Sequence, residues 1–341
     1  MDSRFASIPQ IIAAAQETVT EEVRDHIAGA AGTEVTNKRN RLGLDCLAFR
    51  PRVLRDVSQI DTTTTLLGKR LRIPVVIAPI GSLHTITPRG AVEAVRAAGA
   101  FGIMSFTSSV AEPSLEEIAA ASQHPKMFQL YIRGDAVDVA ALISRVKAAG
   151  YAGVAVTVDS AYYGIRDRQL LHKWQPPAAR RGGREYQTKV TWETIAEIRA
   201  CAAPLPVMLK GIQTAEDAEL AVKHGVDAIY VSNHGGRQLD HCHATIDILR
   251  EVVAAVGRDT DIIVDGGFTR GTDVLKAIAL GARAVGIGRL YAWALGVGGE
   301  AAVVNALEIL EGEIHNAMGL LGVSRLVELT PDYVSEARPV A

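Results

Sequence analysis

Eight short apolar segments alternate with alanine-rich segments of helical periodicity between residues 74 and 288. Several apolar segments, such as VVIAP from residue 75 and AIYVS from residue 228, are almost uninterrupted, which is typical of parallel strands buried on both faces. Eight strand and helix units over roughly 250 residues are typical of a closed barrel, whereas a doubly wound sheet usually has fewer strands. The sequence therefore predicts an α/β fold, the (β/α)8 TIM barrel.

Glycines mark the ends of the helices in this pattern. The predicted helices end at glycines suited to a left-handed residue, namely Gly99, Gly150, Gly225, Gly257 and Gly281. The predicted strands are Pro74–Pro79, Gly102–Phe106, Met127–Tyr131, Gly153–Val158, Pro206–Lys210, Ala228–Ser232, Asp261–Asp265 and Ala284–Gly288. The predicted helices between them include Pro88–Ala98, Ser114–Ala121, Ala136–Ala149, Thr191–Cys201, Thr214–His224, Ala244–Val256 and Arg270–Leu280.

Three segments follow from this pattern: an N-terminal helical extension at 1–71 that packs on the barrel, the barrel at 72–329, and a C-terminal tail at 330–341. Within the extension, Ile8 to Ala28 has the pattern of one helix, and Arg50 to Val57 that of an irregular wrap. One connection, Asp159 to about Val190, is long and basic. We expect its distal half, Pro176 to Lys189, to be a solvated loop.

Charge and cysteine content limit the possible partners. The formal net charge is -2, which provides no bulk attraction to nucleic acid or to an anionic membrane. Three widely spaced cysteines without a C-x-x-C pair argue against a disulfide framework and a structural zinc site. Residues 1–16 lack a signal-peptide pattern, and no apolar run predicts a membrane span. We expect a cytoplasmic protein with a small-molecule ligand and no metal.

Polar side chains stand at the carboxyl ends of the predicted strands, where barrel enzymes place their catalytic groups. Burying several such groups without partners would cost about 1 to 3 kcal/mol each, so a purely structural role is a poor explanation. They are Gln129 and Tyr131 on the third strand, Thr157 and Asp159 on the fourth, Lys210 on the fifth, and Ser232, His234 and Arg237 after the sixth.

Glycines also follow the seventh and eighth strands, in DGGFTRGTD and GIGR. Gly266, Gly267, Gly286 and Gly288 let a ligand approach backbone N–H groups and a helix N-terminus. Arg289 adds a guanidinium beside them. Because barrels bind phosphate after these two strands, the pattern predicts a phosphate-bearing cofactor rather than mere tight turns.

These strings, together with SNHGGRQLD from Ser232, TVD from Thr157, FQLY and LKG, resemble the FMN-dependent α-hydroxy acid oxidases and dehydrogenases from about Thr33 to Leu329. The resemblance implies FMN, a small 2-hydroxy acid of the L series, oxygen or another electron acceptor, and a homotetramer. It makes His234 the base, supported by Asp159, with Arg166 and Arg237 on the substrate carboxylate and Tyr131 on a substrate oxygen. It places Lys210 against the flavin. The positive charge of the lysine would stabilise the negative charge of the reduced flavin ring.

The same resemblance implies the contacts to FMN. The flavin would be held by Pro79, Ile80, Gly81, Ser108, Gln129, Thr157 and Ser232. Asp265 would bind the ribityl chain. The phosphate would lie on Gly266, Gly267, Gly288, Arg270 and Arg289.

The chain departs from the family pattern in its substrate region. His26 occupies the place of a tyrosine that usually meets the substrate carboxylate, and we expect it to become cationic near neutral pH. Val110 replaces a tryptophan, Thr269 replaces an arginine, and the loop after the fourth strand is short. These changes predict a larger or atypical substrate rather than glycolate, unless His26 faces solvent and Val110 merely packs.

Two other functions stay open from the sequence: a flavin-dependent barrel isomerase of the type 2 isopentenyl diphosphate isomerase kind, and a non-catalytic flavin-binding protein. The paired His234 and Arg237 argue against the isomerase, since a carboxylate clamp has no role there. Asp159, Lys210 and His234 together argue against the scaffold. The side chains do not separate a hydride from a carbanion route.

Overall fold

The computed structural model describes residues 5–338. Its strands are β1 (Leu47–Phe49), β2 (Thr64–Leu66), β3 (Lys69–Leu71), β4 (Val75–Ile77), β5 (Ser105–Ser108), β6 (Lys126–Leu130), β7 (Gly153–Thr157), β8 (Val207–Ile212), β9 (Ala228–Val231), β10 (Asp261–Asp265), β11 (Ala284–Ile287) and β12 (Val334–Glu336). Its helices are α1 (Ile8–Thr18), α2 (Glu21–Ala28), α3 (Val35–Asp45), α4 (Gly90–Phe101), α5 (Leu115–Ala120), α6 (Ala136–Ala148), α7 (Asp167–Leu171), α8 (Pro177–Arg180), α9 (Arg184–Gln187), α10 (Trp192–Ala202), α11 (Ala215–Lys223), α12 (Thr245–Val256), α13 (Gly271–Ala279) and α14 (Arg289–Leu321).

The eight strands β4 to β11 form a closed parallel barrel in which each strand pairs with its sequence neighbours and β11 pairs with β4. This confirms the predicted (β/α)8 fold. Side chains of the strands fill the interior, among them Met127, Met208 and Tyr230. The hairpin of β2 and β3 places Leu66 and Leu71 in the same cluster, so the amino end of the barrel is closed. The carboxyl end is left for a site.

Several helices and helix ends differ from the prediction. Residues 8–28 form two helices, because Val19 and Thr20 are extended and Thr20 caps α2. The unpredicted helix α3 packs against the turn that carries His234. Gly99 lies within α4, which instead ends at the left-handed Gly102, and Gly257 has a right-handed φ of -63°. Gly150, Gly225 and Gly281 are left-handed as predicted.

β12 pairs antiparallel with β1, so the described part of the predicted C-terminal tail is joined to the N-terminal extension. Residues 1–4 and 339–341 lie outside the described range. The division at 71 and 329 stays a prediction.

Helix α14 is the one helix within residues 5–338 that is long and apolar enough to cross a membrane. It packs on α1, α4 and α13, and much of its apolar surface belongs to the core. Its composition is therefore explained by burial in the barrel wall.

Asp273 fixes the start of α13. Its carboxylate is only 2% exposed and accepts both terminal nitrogens of Arg41 at 2.7 and 2.8 Å. It also accepts the backbone N–H groups of Thr269 and Arg270, each at 3.0 Å. These bonds hold the glycine-rich turn after β10 against α3.

Replacing Asp273 with Ala should lower the free energy of unfolding by about 2 to 3 kcal/mol, since it leaves two backbone donors and part of a guanidinium without a partner. Asp45→Ala removes the exposed partner of the same arginine and should cost less than about 1 kcal/mol. Urea unfolding followed by circular dichroism measures both. Equal losses in the two variants would contradict this account.

Candidate active site

A cavity of about 970 Å³ opens at the carboxyl ends of the barrel strands. Its wall is built from the ends of several strands and from the N-terminal extension. The predicted site residues on this wall are His26, Pro79, Ile80, Gly81, Tyr131, Arg166, Lys210, His234, Arg237, Asp265, Gly266, Gly267, Gly288 and Arg289. The structure thus brings most of the predicted residues to one place.

His234 stands in a tight turn after β9. Its own φ is 58°, and the next two residues, Gly235 and Gly236, have φ of 64° and 76°. A Cβ on Gly236 would lie 2.7 Å from the backbone nitrogen of Asn37 in α3, so the turn requires glycine there. The backbone N–H of His234 donates to Ser232 Oγ at 3.0 Å. These constraints set the direction of the imidazole.

The imidazole of His234 lies between an acid and a phenol. Its Nδ1 is 3.1 and 3.2 Å from the two carboxylate oxygens of Asp159, and its Nε2 is 3.2 Å from the Tyr131 hydroxyl. An ionised Asp159 accepts only, so Nδ1 carries the proton and Nε2 of the neutral ring is free to accept one. This is the arrangement of a general base.

Burial and charge tune these groups. Burial lowers the pKa of His234, and the nearby Asp159 carboxylate only partly offsets it, so the ring is neutral at neutral pH. Burial opposes ionisation of Asp159, but its interactions with His234, the charge of Lys210 and the hydrogen bond from Ser160 together outweigh burial and leave the pKa of Asp159 lowered. Burial, followed by the Asp159 charge, raises the pKa of Tyr131, whose hydroxyl stays neutral.

Two hydrogen-bonded chains connect residues in and behind the cavity wall. Lys210 Nζ donates to Ser232 Oγ at 3.0 Å, which donates to Asp265 Oδ1 at 2.7 Å. Lys210 is 3% exposed and its ammonium is 3.7 Å from Asp265 Oδ2. In the second chain Gln129 connects its two neighbouring strands, donating to Thr157 Oγ1 at 2.8 Å and accepting from Ser108 Oγ at 2.7 Å. These predicted cofactor residues are therefore preorganised by one another.

Arginines dominate the rest of the wall. Arg237 donates to the carbonyls of His26 and Gly29 at 2.7 and 2.8 Å, and Arg289 donates to those of Ile27, Gly29 and Gly235. Arg166 donates to the Tyr163 hydroxyl at 2.6 Å and lies over its ring. Burial lowers the pKa of each of these arginines, and their mutual repulsion adds to the effect for Arg237 and Arg289. The cavity is a strongly cationic site.

The expectation that His26 becomes cationic is wrong. His26 is only 8% exposed, and burial, followed by the charges of Arg237, Arg166 and Arg289, holds its pKa well below the ordinary histidine value. Its Nδ1 lies 2.8 Å from Gln169 Nε2, an amide donor, so the proton of the neutral ring is on Nε2. His26 therefore offers a neutral donor and not a second positive charge.

Arg270 lies apart from the other predicted phosphate ligands. Its side chain pairs with Glu313 of α14 at 2.7 Å and is 47% exposed. The other groups face the cavity: Gly266 and Gly267 have φ of 107° and 85°, and α14 begins at Arg289 without a side-chain cap on its free N–H groups. A left-handed glycine loop beside an uncapped helix N-terminus fits a phosphate.

The connection from Asp159 to Val190 covers the cavity, and the expectation that its distal half is a solvated loop is wrong. Gln187 is 5% exposed; it donates to Thr157 O and accepts from Ile132 N, both at 2.8 Å. Ala178 N donates to Ser82 Oγ at 2.9 Å. Nearer the strand, Arg168 and His172 bind Asp25 of α2. The short helices of this loop therefore form part of the wall.

Sequence reasoning missed several wall residues. Tyr163, Arg133 and Arg184 line the cavity, as do Asn37, Lys38 and Arg41 of α3. Tyr163 and Arg184 belong to the basic connection after β7, which has no periodic signal, and Arg133 lies in the short loop after β6. The sequence did contain one signal for helix α3. Arg41 and Asp45 have the i,i+4 spacing of an ion pair on a helix, and they form that pair in the structure.

Comparison with known proteins agrees with this geometry. The model of the family "FMN-dependent dehydrogenase" matches residues 15–336. The chain is 39% identical to 2-hydroxyacid oxidase 2 of Homo sapiens, over 95% of this chain and 96% of that protein. It is 37% identical to L-lactate oxidase of Nostoc sp., over 91% and 92% of the two chains. A crystal structure of mandelate oxidase with (S)-2-phenylpropionate superimposes with a TM-score of 0.92 at 36% identity, covering 99% of this chain and 100% of that one.

The chain therefore belongs to the FMN-dependent dehydrogenase family. The family predicted from the motifs is confirmed, FMN is the cofactor, and the chain is an oxidoreductase acting on CH–OH groups. The wall residues fit FMN, because a buried lysine, an amide and hydroxyl chain, and an uncapped helix N-terminus beside left-handed glycines suit a polar ring that bears a phosphate.

Asp159→Asn should shift the acid limb of activity to lower pH. A histidine base works when neutral, so kcat/KM falls as pH drops through its pKa, which lies below the usual value of about 6.5. Removing the Asp159 charge removes the effect that raises the pKa of His234, and the rate should also fall about 100-fold or more. Profiles of kcat/KM against pH for both proteins measure this, and an acid limb that moves to higher pH would refute it.

Proposed function

We propose that this chain oxidises a 2-hydroxy acid of the L series to the 2-oxo acid, with His234 as the base. The observation that carries the proposal is the His234 ring, whose Nδ1 lies 3.1 Å from Asp159 while its Nε2 faces the cavity beside Tyr131. The family relatives, named as 2-hydroxyacid and lactate oxidases, support the same reaction class.

His234 Nε2 accepts the proton that the substrate loses. The resulting imidazolium keeps its bond to Asp159, whose negative charge stabilises it. The same pairing serves removal of a hydroxyl proton or of a C2 proton. Bound FMN supplies the acceptor for the two electrons that leave the substrate.

Arg166 and Arg237 bind the substrate carboxylate. Both line the cavity, and a planar guanidinium matches a carboxylate with two parallel hydrogen bonds. Tyr131, kept neutral by burial, donates to a substrate oxygen. His26 adds a neutral N–H next to Arg237, whose Nη2 lies 3.3 Å from its Nδ1.

Lys210 and the two hydrogen-bonded chains lie where the flavin would be held. Its buried ammonium favours negative charge on the reduced ring, and Gln129, Thr157, Ser108 and Ser232 offer ring and ribityl contacts. Gly266, Gly267, Gly288 and Arg289 would take the phosphate, without Arg270. The isomerase and scaffold alternatives leave the Arg166 and Arg237 pair and the His234 and Asp159 pair without a role.

Substrate size is set by the wall near Val110. Val110 is 4% exposed, lines the cavity, and is close to Gly81, which in turn lies near Ala178 of the covering loop. A small side chain here supports a substrate larger than glycolate, although the loop fills part of the space. The electron acceptor, the homotetramer and the cytoplasmic compartment remain predictions.

His234→Asn tests the proposed base. The variant should bind FMN as the wild type does and lose about 100-fold or more of the rate at which 2-hydroxy acids reduce the flavin, because the lost group acts on the substrate. Anaerobic stopped-flow absorbance measures the rate. His315→Asn, an exposed change on α14, is the control and should match the wild type. Full-rate reduction in His234→Asn would eliminate the assignment.

A further inference from the structure

Arg184 is a cavity residue with no carboxylate partner. It is the first residue of α9, lines the cavity, and forms no ion pair within residues 5–338. Two other arginines of the same connection do have carboxylate partners, since Arg181 pairs with Glu112 at 3.0 Å and Arg168 with Glu34 at 2.8 Å. The nearest acidic wall residue in sequence, Glu185, is exposed and unpaired in the described range.

The position of Arg184 is fixed by the backbone. Gly183, directly before it, is left-handed with a φ of 79°, and a Cβ there would lie 2.3 Å from the carbonyl oxygen of Arg133. Arg133 in turn donates to three carbonyls of the loop, those of Ala178, Arg181 and Gly182. With Gln187 anchored on the barrel, these contacts fix the backbone of α9 at both ends.

Tyr163 connects Arg184 to the proposed carboxylate site. The guanidinium carbon of Arg184 is 4.4 Å from the centre of the Tyr163 ring, and that of Arg166 is 4.2 Å from the same centre. The two guanidinium groups are therefore no farther apart than the sum of these distances, which a short molecule with an anion at each end can bridge. Burial, followed by the repulsion of Arg184, lowers the pKa of Arg133.

The FMN phosphate does not account for this charge. Arg184 belongs to the connection after β7, whereas the glycine loops follow β10 and β11, and in the closed barrel β7 lies across from β11. The substrate carboxylate takes Arg166 and Arg237. Neither of these anions therefore pairs with Arg184.

We propose that Arg184, on its platform of Tyr163 and Arg133, forms a second anion subsite, and that the substrate is a 2-hydroxy diacid whose distal carboxylate binds there. This rests on the proposed function and adds the substrate class.

The experiment compares two substrates that differ only in distal charge, (S)-2-hydroxyglutarate and its 5-amide, with the FMN-loaded protein under anaerobic conditions. The rate of flavin reduction against concentration gives a kcat/KM ratio for the pair. A charge-assisted hydrogen bond predicts a ratio of about 10 to 100 in favour of the diacid. Arg184→Gln should bring the ratio close to one, and Arg184→Lys should retain part of it.

Arg180→Gln is the matched control, because Arg180 is an exposed arginine of the same loop outside the cavity wall and should leave the ratio unchanged. A wild-type ratio near one, with both compounds reducing the flavin, overturns the diacid subsite and leaves the proposed function standing. A high ratio that persists in Arg184→Gln would show that Arg184 does not bind the distal carboxylate. If no 2-hydroxy acid reduces the flavin, the proposed function fails, and the inference with it.

Discussion

Positive charge at the carboxyl end of the barrel is the constraint on which the rest of the site depends. Lys210, Arg166, Arg237 and Arg289 converge on one cavity, where Asp265 and the adjacent Asp159 are the nearby buried carboxylates among the residues described. Cations removed from water are costly unless other groups replace their hydration. In this fold, backbone carbonyls replace part of the hydration of the buried cations. The phosphate of FMN and the carboxylate of the proposed substrate would replace the rest.

This constraint gives the N-terminal extension a function. Carbonyls between His26 and Gly29 accept from Arg237 and Arg289, and Arg168 and His172 of the loop after β7 bind Asp25 of the same extension. The extension, the loop and the turn that carries His234 therefore support one another. A cavity built in this way holds its donors in place before a ligand arrives, which is what electrostatic stabilisation of a developing charge requires.

The sequence predicted those features of the fold and the site that depend on local residue patterns. Uninterrupted apolar runs located the barrel strands within a few residues, and the rule that barrel sites lie at strand ends then located Tyr131, Asp159, Lys210 and His234. The errors concern properties set by distant residues. The charge of His26 depends on its burial, on the hydrogen bond from Gln169 and on the charges of three arginines. Whether Arg270 can bind a phosphate depends on its ion pair with Glu313. The cover formed by Ala178 and Gln187 has no periodic pattern, so only its contacts reveal it.

The central claim, that this cationic cavity oxidises a 2-hydroxy acid on FMN, is tested most directly by titrating the purified FMN-loaded protein with (S)-2-hydroxy acids, monoacids and diacids, in the absence of oxygen. The account predicts that the visible absorption of the flavin bleaches and that one molecule of the matching 2-oxo acid forms for each flavin reduced. A flavin that stays oxidised with every 2-hydroxy acid, while a chemical reductant bleaches it, would contradict the account.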